Sequence, residues 1–200
     1  MGDVGGMVLA AGLSERMDGP LPKQLLPLGA RTIAEQTVRN VEASRLDRVV
    51  VVTGYRAEEV AASVAGGRAL VVENPDYRSG NLSSFRAGAA ELEDCEAVVV
   101  TLADMPGVTT EMIDRLVQEW HRHHPWAAWS SYHDGPAHPL LFSARALREA
   151  AATEGAKGVW RFLESAPAGA VLPVAFAMDA PSDLNTRSEY ERMLRDQAPS

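Results

Sequence analysis

The stretch V-L-A-A-G-L-S-E-R-M-D-G-P-L-P-K-Q-L-L-P, Val8 to Pro27, decides how the rest of the chain reads. The apolar run Gly6 to Ala10 predicts a buried strand. It opens, with Leu9 at its root, into a loop of small residues, Ala10, Ala11 and Gly12, whose backbone can approach a ligand closely. Ser14 and Arg16 come next, then a Gly-Pro-Leu-Pro break, then Lys23. Two fixed cations therefore stand over free amides, which is a polyanion site in outline. The spacing matches neither the Gly-x-x-x-x-Gly-Lys-Ser/Thr phosphate loop nor the Gly-x-Gly-x-x-Gly dinucleotide turn. The competing reading is a Gly-containing strand-to-helix turn with incidental surface cations.

Two hundred residues suit one α/β domain over 1–200, long enough to bury a full core. With 19 Lys+Arg against 27 Asp+Glu the net charge is -8, so the overall field repels nucleic acid and a nucleotide must be held locally. No apolar run approaches bilayer length and the N-terminus lacks a basic segment followed by an apolar signal core, so no membrane partner and a cytoplasmic location are expected. The single Cys95 has no disulfide or Cys-x-x-Cys partner, which leaves it to packing or surface.

Downstream, Thr32-x-x-Glu35 with Ile33, Ala34, Val38 and Val41 predicts a capped helix over 32–44. Arg48 to Thr53, built on four consecutive valines, predicts a central parallel strand. A short helix over 57–65 and a strand over 69–72 follow, with Glu73-Asn74-Pro75 as a stop. The stretch Tyr77 to Ala89 is rich in small hydroxyl residues before a helix, and Asn81 or Ser83 can serve as an ordinary N-cap there. Ala97 to Leu102 predicts another strand leading into Ala103-Asp104-Met105-Pro106. Ligands gather beyond strand carboxyl ends in open α/β sheets, and beside Lys23 and Arg16 the Asp104 carboxylate is the hard oxygen that magnesium on a triphosphate requires. A helix cap is the plainer role for it.

Thr110 to Trp120 is amphipathic, and His121-Arg122-His123-His124 reads as a solvated helix end. Strands over 127–132 and 139–142, around a Gly-Pro turn, form a hairpin that departs from strand-helix alternation. Helices over 143–152 and 159–164, a strand over 171–174 and a C-terminal helix complete the chain, with Thr186-x-x-Glu189 as a capping box. Alternating strands and helices predict a three-layer α/β/α architecture on a mostly parallel sheet, with a small β excursion.

The ordered set L-A-A-G-x-S-x-R-M, P-K-Q-L-L-P, Asp104-Met105-Pro106, His138-Pro139 and Asp183-Leu184-Asn185-Thr186 resembles the MobA-like NTP transferases, specifically their molybdenum cofactor cytidylyltransferase branch. The resemblance runs from Val8 to Leu194 and implies the GT-A-like nucleotide-diphospho-sugar transferase fold. It implies nucleotide contacts at Leu9, Ala10, Ala11, Gly12 and Ser14, at Thr53 and Gly54, at Ser83 and Ser84 at a helix N-terminus, and at His138. Thr53 and Gly54 read equally as a plain strand-end turn. Magnesium would be held by Asp104 and Asn185 with Asp183 close by, while Arg16 and Lys23 stabilise phosphate charge. The implied reaction is attack by an acceptor phosphate on the α-phosphate of an NTP, releasing pyrophosphate. Ala11 resembles the pyrimidine-using members, pointing to CTP.

By the same resemblance the acceptor is molybdopterin carrying molybdenum, and a molybdenum enzyme or its chaperone receives the product. The sequence departs from the family pattern at Ala103 and Ala137, each in place of Gly, at Arg187 in place of Pro, and at Ala156 and Trp160 in place of the Asp and Arg of the acceptor loop, where Lys157 and Arg161 are displaced cations. Rival readings are a GTP-using or other small-phosphate nucleotidyltransferase, and an NAD(P)H-dependent oxidoreductase or nucleotide-binding protein on the same fold.

Overall fold

The first strand, β1 (Val4–Ala10), is hydrogen-bonded along both edges, which makes it the axis of a seven-stranded sheet. The computed structural model describes residues 2–14, 17, 21–153 and 158–196. In chain order the strands are β1, the short ribbon β2 (Pro27–Leu28) and β3 (Arg31–Thr32), β4 (Arg48–Thr53), β5 (Leu70–Glu73), β6 (Ala97–Leu102), β7 (Ala127–Tyr132), β8 (Gly135–Ser143) and β9 (Val171–Ala175). The helices are α1 (Ile33–Glu42), α2 (Ala57–Ser63), α3 (Asn81–Glu91), α4 (Thr110–His123), α5 (Ala144–Ala152), α6 (Val159–Glu164) and α7 (Arg187–Asp196).

The sheet order is β5-β4-β1-β6-β8-β7-β9, and only β8 runs against its neighbours. The parallel registers place Val8 between Val51 and Thr101. Side chains alternate across the pleat: Val8, Val49, Val51 and Val99 pack under α1, α2 and α4, while Met7, Val50, Val52, Val98 and Val100 pack under α3, α5 and α6. A run of four valines reads without alternation because both faces are covered. These are the three layers expected from the sequence.

Caps fall where the hydroxyls are. Thr32 accepts from the Glu35 amide at 3.1 Å, Thr109 from Met112 at 3.4 Å and Ser143 from Ala146 at 3.1 Å. At α7 both halves of the capping box form, with Thr186 N to Glu189 Oε2 at 2.8 Å and Glu189 N to Thr186 Oγ1 at 3.3 Å. Helix α3 differs from expectation, because Gly80, at φ 110°, is its N-cap and neither Asn81 nor Ser83 caps it. An L side chain rarely adopts that backbone conformation, so the start of the helix is set by the glycine. His121, Arg122 and His123 form the last turn of α4, and His124 closes it with its ring 5.0 Å from Trp120.

The hairpin β7–β8 does not leave the sheet plane. β8 is inserted between β6 and β7 and is longer than the expected 139–142, because Gly135, Pro136 and Ala137 pair with β7; Leu140 and Phe142 fill one layer and Leu141 the other. The ladder shifts between Trp129 and Ser130, where Pro139 offers no N–H, and the Ser130 hydroxyl donates to the Pro139 carbonyl at 2.8 Å. A third, smaller cluster of Met17, Leu26, Leu28, Ile33, Leu184 and Tyr190 clamps α7 to the β2–β3 ribbon, helped by Tyr190 Oη donating to Pro27 O at 2.7 Å.

Helix α3 approaches the sheet through Gly88, where an added Cβ would lie 2.9 Å from both Met7 and Val52. Gly88→Val is expected to lower stability by about 1–3 kcal/mol through overpacking, read as a lower denaturant midpoint at unchanged slope.

Candidate active site

After β1 the chain passes to β4 on one side, and after β5 it returns to β6 on the other, so the loops leaving β1 and β6 part above the sheet. Crevices at such switch points are where open α/β sheets bind ligands. Two cavities lie there and share Leu102 at the end of β6. One, of about 230 Å³, is lined by Leu9, Ala11, Gly12, Lys23, Ser84 and Asp104 together with Tyr77, Arg78 and Asn81. The other, of about 490 Å³, is lined by Met105, Asp134, His138, Trp160, Asp183 and Arg192, among others.

Lys23 lines the smaller of the two. Its ammonium forms an ion pair with the buried Asp104 carboxylate and donates to Asn185 Oδ1 at 3.3 Å, across 162 residues of chain. Asn185 Nδ2 donates in turn to Asp183 Oδ2 at 2.6 Å, and the Leu184 amide donates to the Asp104 carbonyl at 3.3 Å. Glu189 Oε2 accepts from the amides of Asn185 and Thr186, both at 2.8 Å. Those bonds hold the Glu189 carboxyl below its ordinary range, so it ties down the turn as an anion. Two hard oxygens, a carboxylate and an amide carbonyl, thus converge on one cationic centre.

The small-residue loop is held from below by Gln24, only 3% exposed. Its Nε2 donates to the Gly12 carbonyl at 3.3 Å, its Oε1 accepts from Ser14 Oγ at 3.1 Å, and Ser14 Oγ accepts from the Lys23 amide at 3.1 Å. Helix α1 supports the Asp104 loop: the buried Thr37 hydroxyl lies 3.1 Å from the Ala103 carbonyl, and Asn40 Nδ2 donates to Pro106 and Val108 at 3.1 and 2.9 Å. The methyl of Ala103, where the family pattern has Gly, is buried in the α1 layer.

The other expected residues separate. Ala10 is buried beneath the loop. Thr53 is 1% exposed with its hydroxyl 3.4 Å from the Val72 carbonyl, and Gly54 packs so tightly against Tyr77 and Ala11 that a Cβ would come within 2.6 Å. This pair supports the loop from behind. Ser83 turns toward the carbonyls of Asp76 and Gly80 while Ser84 faces the smaller cavity, and Asn74 Nδ2 donates to both hydroxyls, at 2.9 and 3.0 Å. His138 lies in the larger cavity, away from the small-residue loop. Arg16 and Lys157 lie outside the described residues.

The sequence profile of the MobA-like NTP transferase domain matches residues 6–170. The chain belongs to this family of nucleotidyltransferases. Nicotine blue oxidoreductase of Paenarthrobacter nicotinovorans is 34% identical over 175 residues, 82% of this chain and 83% of the relative. The molybdenum cofactor cytidylyltransferase of Escherichia coli is 31% identical over 147 residues, 72% of each. Among solved structures, Rv0371c of Mycobacterium tuberculosis superposes with a TM-score of 0.85 at 29% identity, covering 97% of this chain and 98% of that one. Rv0371c has also been solved in complex with manganese, with a TM-score of 0.79 at 28% identity over 96% and 98% of the two chains.

Within this MobA-like scaffold, sequence reading did not single out Gln24, Tyr77, Arg78, Asn81, Asp134 and Arg192. Gln24 was visible only as one letter of a motif, and the rest become neighbours through crossovers that spacing does not encode. His138 is fixed more closely than its motif suggests. Its Nδ1 lies 3.2 Å from the Val100 carbonyl, an oxygen that can only accept, so Nδ1 carries the proton and Nε2 is left as an acceptor.

Burial pushes the His138 imidazole below its ordinary 6.5, against the opposing effects of the Val100 carbonyl and of Asp104 and Asp183. The folded state therefore binds this proton less readily than the unfolded state, and its contribution is present above pH 6.5 and lost as pH falls below it. Denaturant titrations are expected to show stability declining from pH 6.5 downward, with that part of the slope absent in His138→Gln.

Proposed function

We propose that this protein transfers a nucleotide monophosphate, CMP from CTP, to a phosphorylated acceptor of the molybdopterin type and releases pyrophosphate. The observation that carries the reading is the convergence of Lys23, Asp104 and Asn185 at the smaller cavity, with Asp183, bonded to Asn185, in the lining of the larger one. The smaller would take the nucleotide and the larger the acceptor, so the two phosphates would be brought together beside one cation. Family membership and the cytidylyltransferase relative support the reaction type. Ala11, which lines the small cavity, resembles the pyrimidine-using members of the family at that position and supports CTP.

Asp104 and Asn185, with Asp183 behind, would hold a divalent cation; their oxygens already accept a cation in the Lys23 ammonium, and the manganese complex of a relative is in keeping with this. Magnesium there would supply neutralisation of triphosphate charge. The backbone of Ala11 and Gly12 and the N-terminal turn of α3, which has no side-chain cap, offer amides to the nucleotide. Lys23, and Arg16 as the family resemblance implies, would stabilise charge on the phosphates. An acceptor phosphate oxygen forms a new bond to the α-phosphorus while the bridging bond to the β-phosphate breaks and the electron pair leaves with pyrophosphate. Positioning and charge neutralisation are sufficient for such a transfer, and no protein nucleophile is needed. A molybdenum enzyme or its chaperone would then receive the product.

A second reading, an NAD(P)H-dependent oxidoreductase, is favoured by the 34% identity to nicotine blue oxidoreductase over most of both chains. The deciding assay is pyrophosphate release with each of the four NTPs, with magnesium, with and without molybdenum-loaded molybdopterin. Release is expected with CTP and acceptor together, and Asp104→Ala is expected to lower it at least about 100-fold, a loss on the scale of removing a charge-stabilising group. Hydride transfer from NAD(P)H to a dye with no NTP turnover would give the second reading.

A further inference from the structure

We propose that Trp160 is the specificity-determining platform of the larger cavity, selecting a planar heteroaromatic ring that presents N–H donors at its edge. The inference rests on reading that cavity as the acceptor site and narrows which acceptors fit. In the family pattern the corresponding position is Arg, so this chain carries an indole in place of a guanidinium.

Three observations carry it. First, the ring is held from two sides: it stacks on Trp129 at 6.1 Å between centroids and 27° between planes, and its Nε1 donates to Glu164 Oε1 at 2.9 Å. Both partners are fixed, Trp129 within β7 and Glu164 one turn along α6, which is anchored by the buried Val159 and Leu163. A ring so oriented offers a preorganised flat face, the condition under which stacking discriminates. Second, the described polar lining is rich in acceptors. Asp134 accepts from the Ala180 amide at 2.9 Å, Asp183 and Glu189 are carboxylates, and His138 presents Nε2 as an acceptor because its Nδ1 is committed to Val100. Third, Arg192 is the only Lys or Arg among the described lining residues. Three carboxylates against one guanidinium repel a phosphate and welcome N–H groups. The phosphate of the acceptor is thereby directed away from these carboxylates, toward Lys23 in the neighbouring cavity, and its ring toward Trp160.

The test is calorimetric titration, without NTP, of a phosphate-free pterin, 6-hydroxymethylpterin, and of a non-aromatic phosphate, inositol 1-phosphate, into wild type, Trp160→Phe and Trp160→Ala. CTP titration into all three reports that the neighbouring nucleotide cavity, and with it the fold, is intact. The pterin is expected to bind wild type more tightly than inositol 1-phosphate, to stay within about threefold in Trp160→Phe and to weaken at least tenfold in Trp160→Ala, with CTP affinity unchanged. Near-UV circular dichroism of the Trp129–Trp160 pair should change when the pterin binds. Equal pterin affinity in Trp160→Ala, tighter binding of inositol 1-phosphate, or no pterin binding to wild type overturns the proposal. The transferase reading fails separately: Trp160-dependent ring binding with no pyrophosphate release leaves this proposal standing without it, whereas CTP turnover onto a sugar phosphate removes this proposal alone.

Discussion

Strand β1 is paired in parallel on both edges, and that constraint organises the molecule. Its backbone groups are committed to β4 and β6, so the chain cannot turn back beside it and must leave the sheet at Ala10. Because the connections on its two sides lead in opposite directions, the loops at its carboxyl end separate. The crevice that results stays open on the β1 side, since Ala11 and Gly12 are too small to close it. Gln24 keeps this loop open by bonding it from inside, at a position where a charged residue could not be buried without cost.

Charge within the crevice is divided by a single side chain. A protein with a net charge of -8 attracts anions only where cations are concentrated, and Lys23 stands where Asp104 and the 183–186 turn meet. The turn reaches it because α7 is clamped to the β2–β3 ribbon, a ribbon formed by the same segment that carries Lys23. One small apolar cluster thus sets the distance between parts of the site that lie at opposite ends of the sequence. The Lys23 side of the crevice suits phosphate, and the Asp134, Asp183 and Trp160 side suits a ring.

Local rules were legible where the local interaction is strong. The hydroxyl caps of α1 and α7 form with residues three positions apart, and the strands over 48–53, 97–102 and 127–132 have the observed bounds. The start of α3 was not legible, because the reading weighed side-chain caps where a glycine backbone angle decides. The extent of β8 was missed for a different reason. Gly135 to His138 read as a turn, and only the neighbouring β7 makes them a strand. Thr53 and Gly54 illustrate the same limit, since being near a site and facing it are indistinguishable in a linear pattern.

The sequence by itself determined the layered α/β class and the glycine- and lysine-bearing loop, because these rest on periodicity, caps and short spacings that act within a few residues, and its ordered motifs carried the resemblance to the family. Only the tertiary structure decided that Lys23 touches both Asp104 and Asn185, that Ser84 rather than Ser83 faces the smaller cavity, and that Trp160 stacks on Trp129 in the wall of the larger one. Such contacts depend on strand order and on the clamping of α7, which no local energy term specifies. Chain separation carries no information about distance once a parallel sheet folds residues 23, 104 and 185 onto one edge.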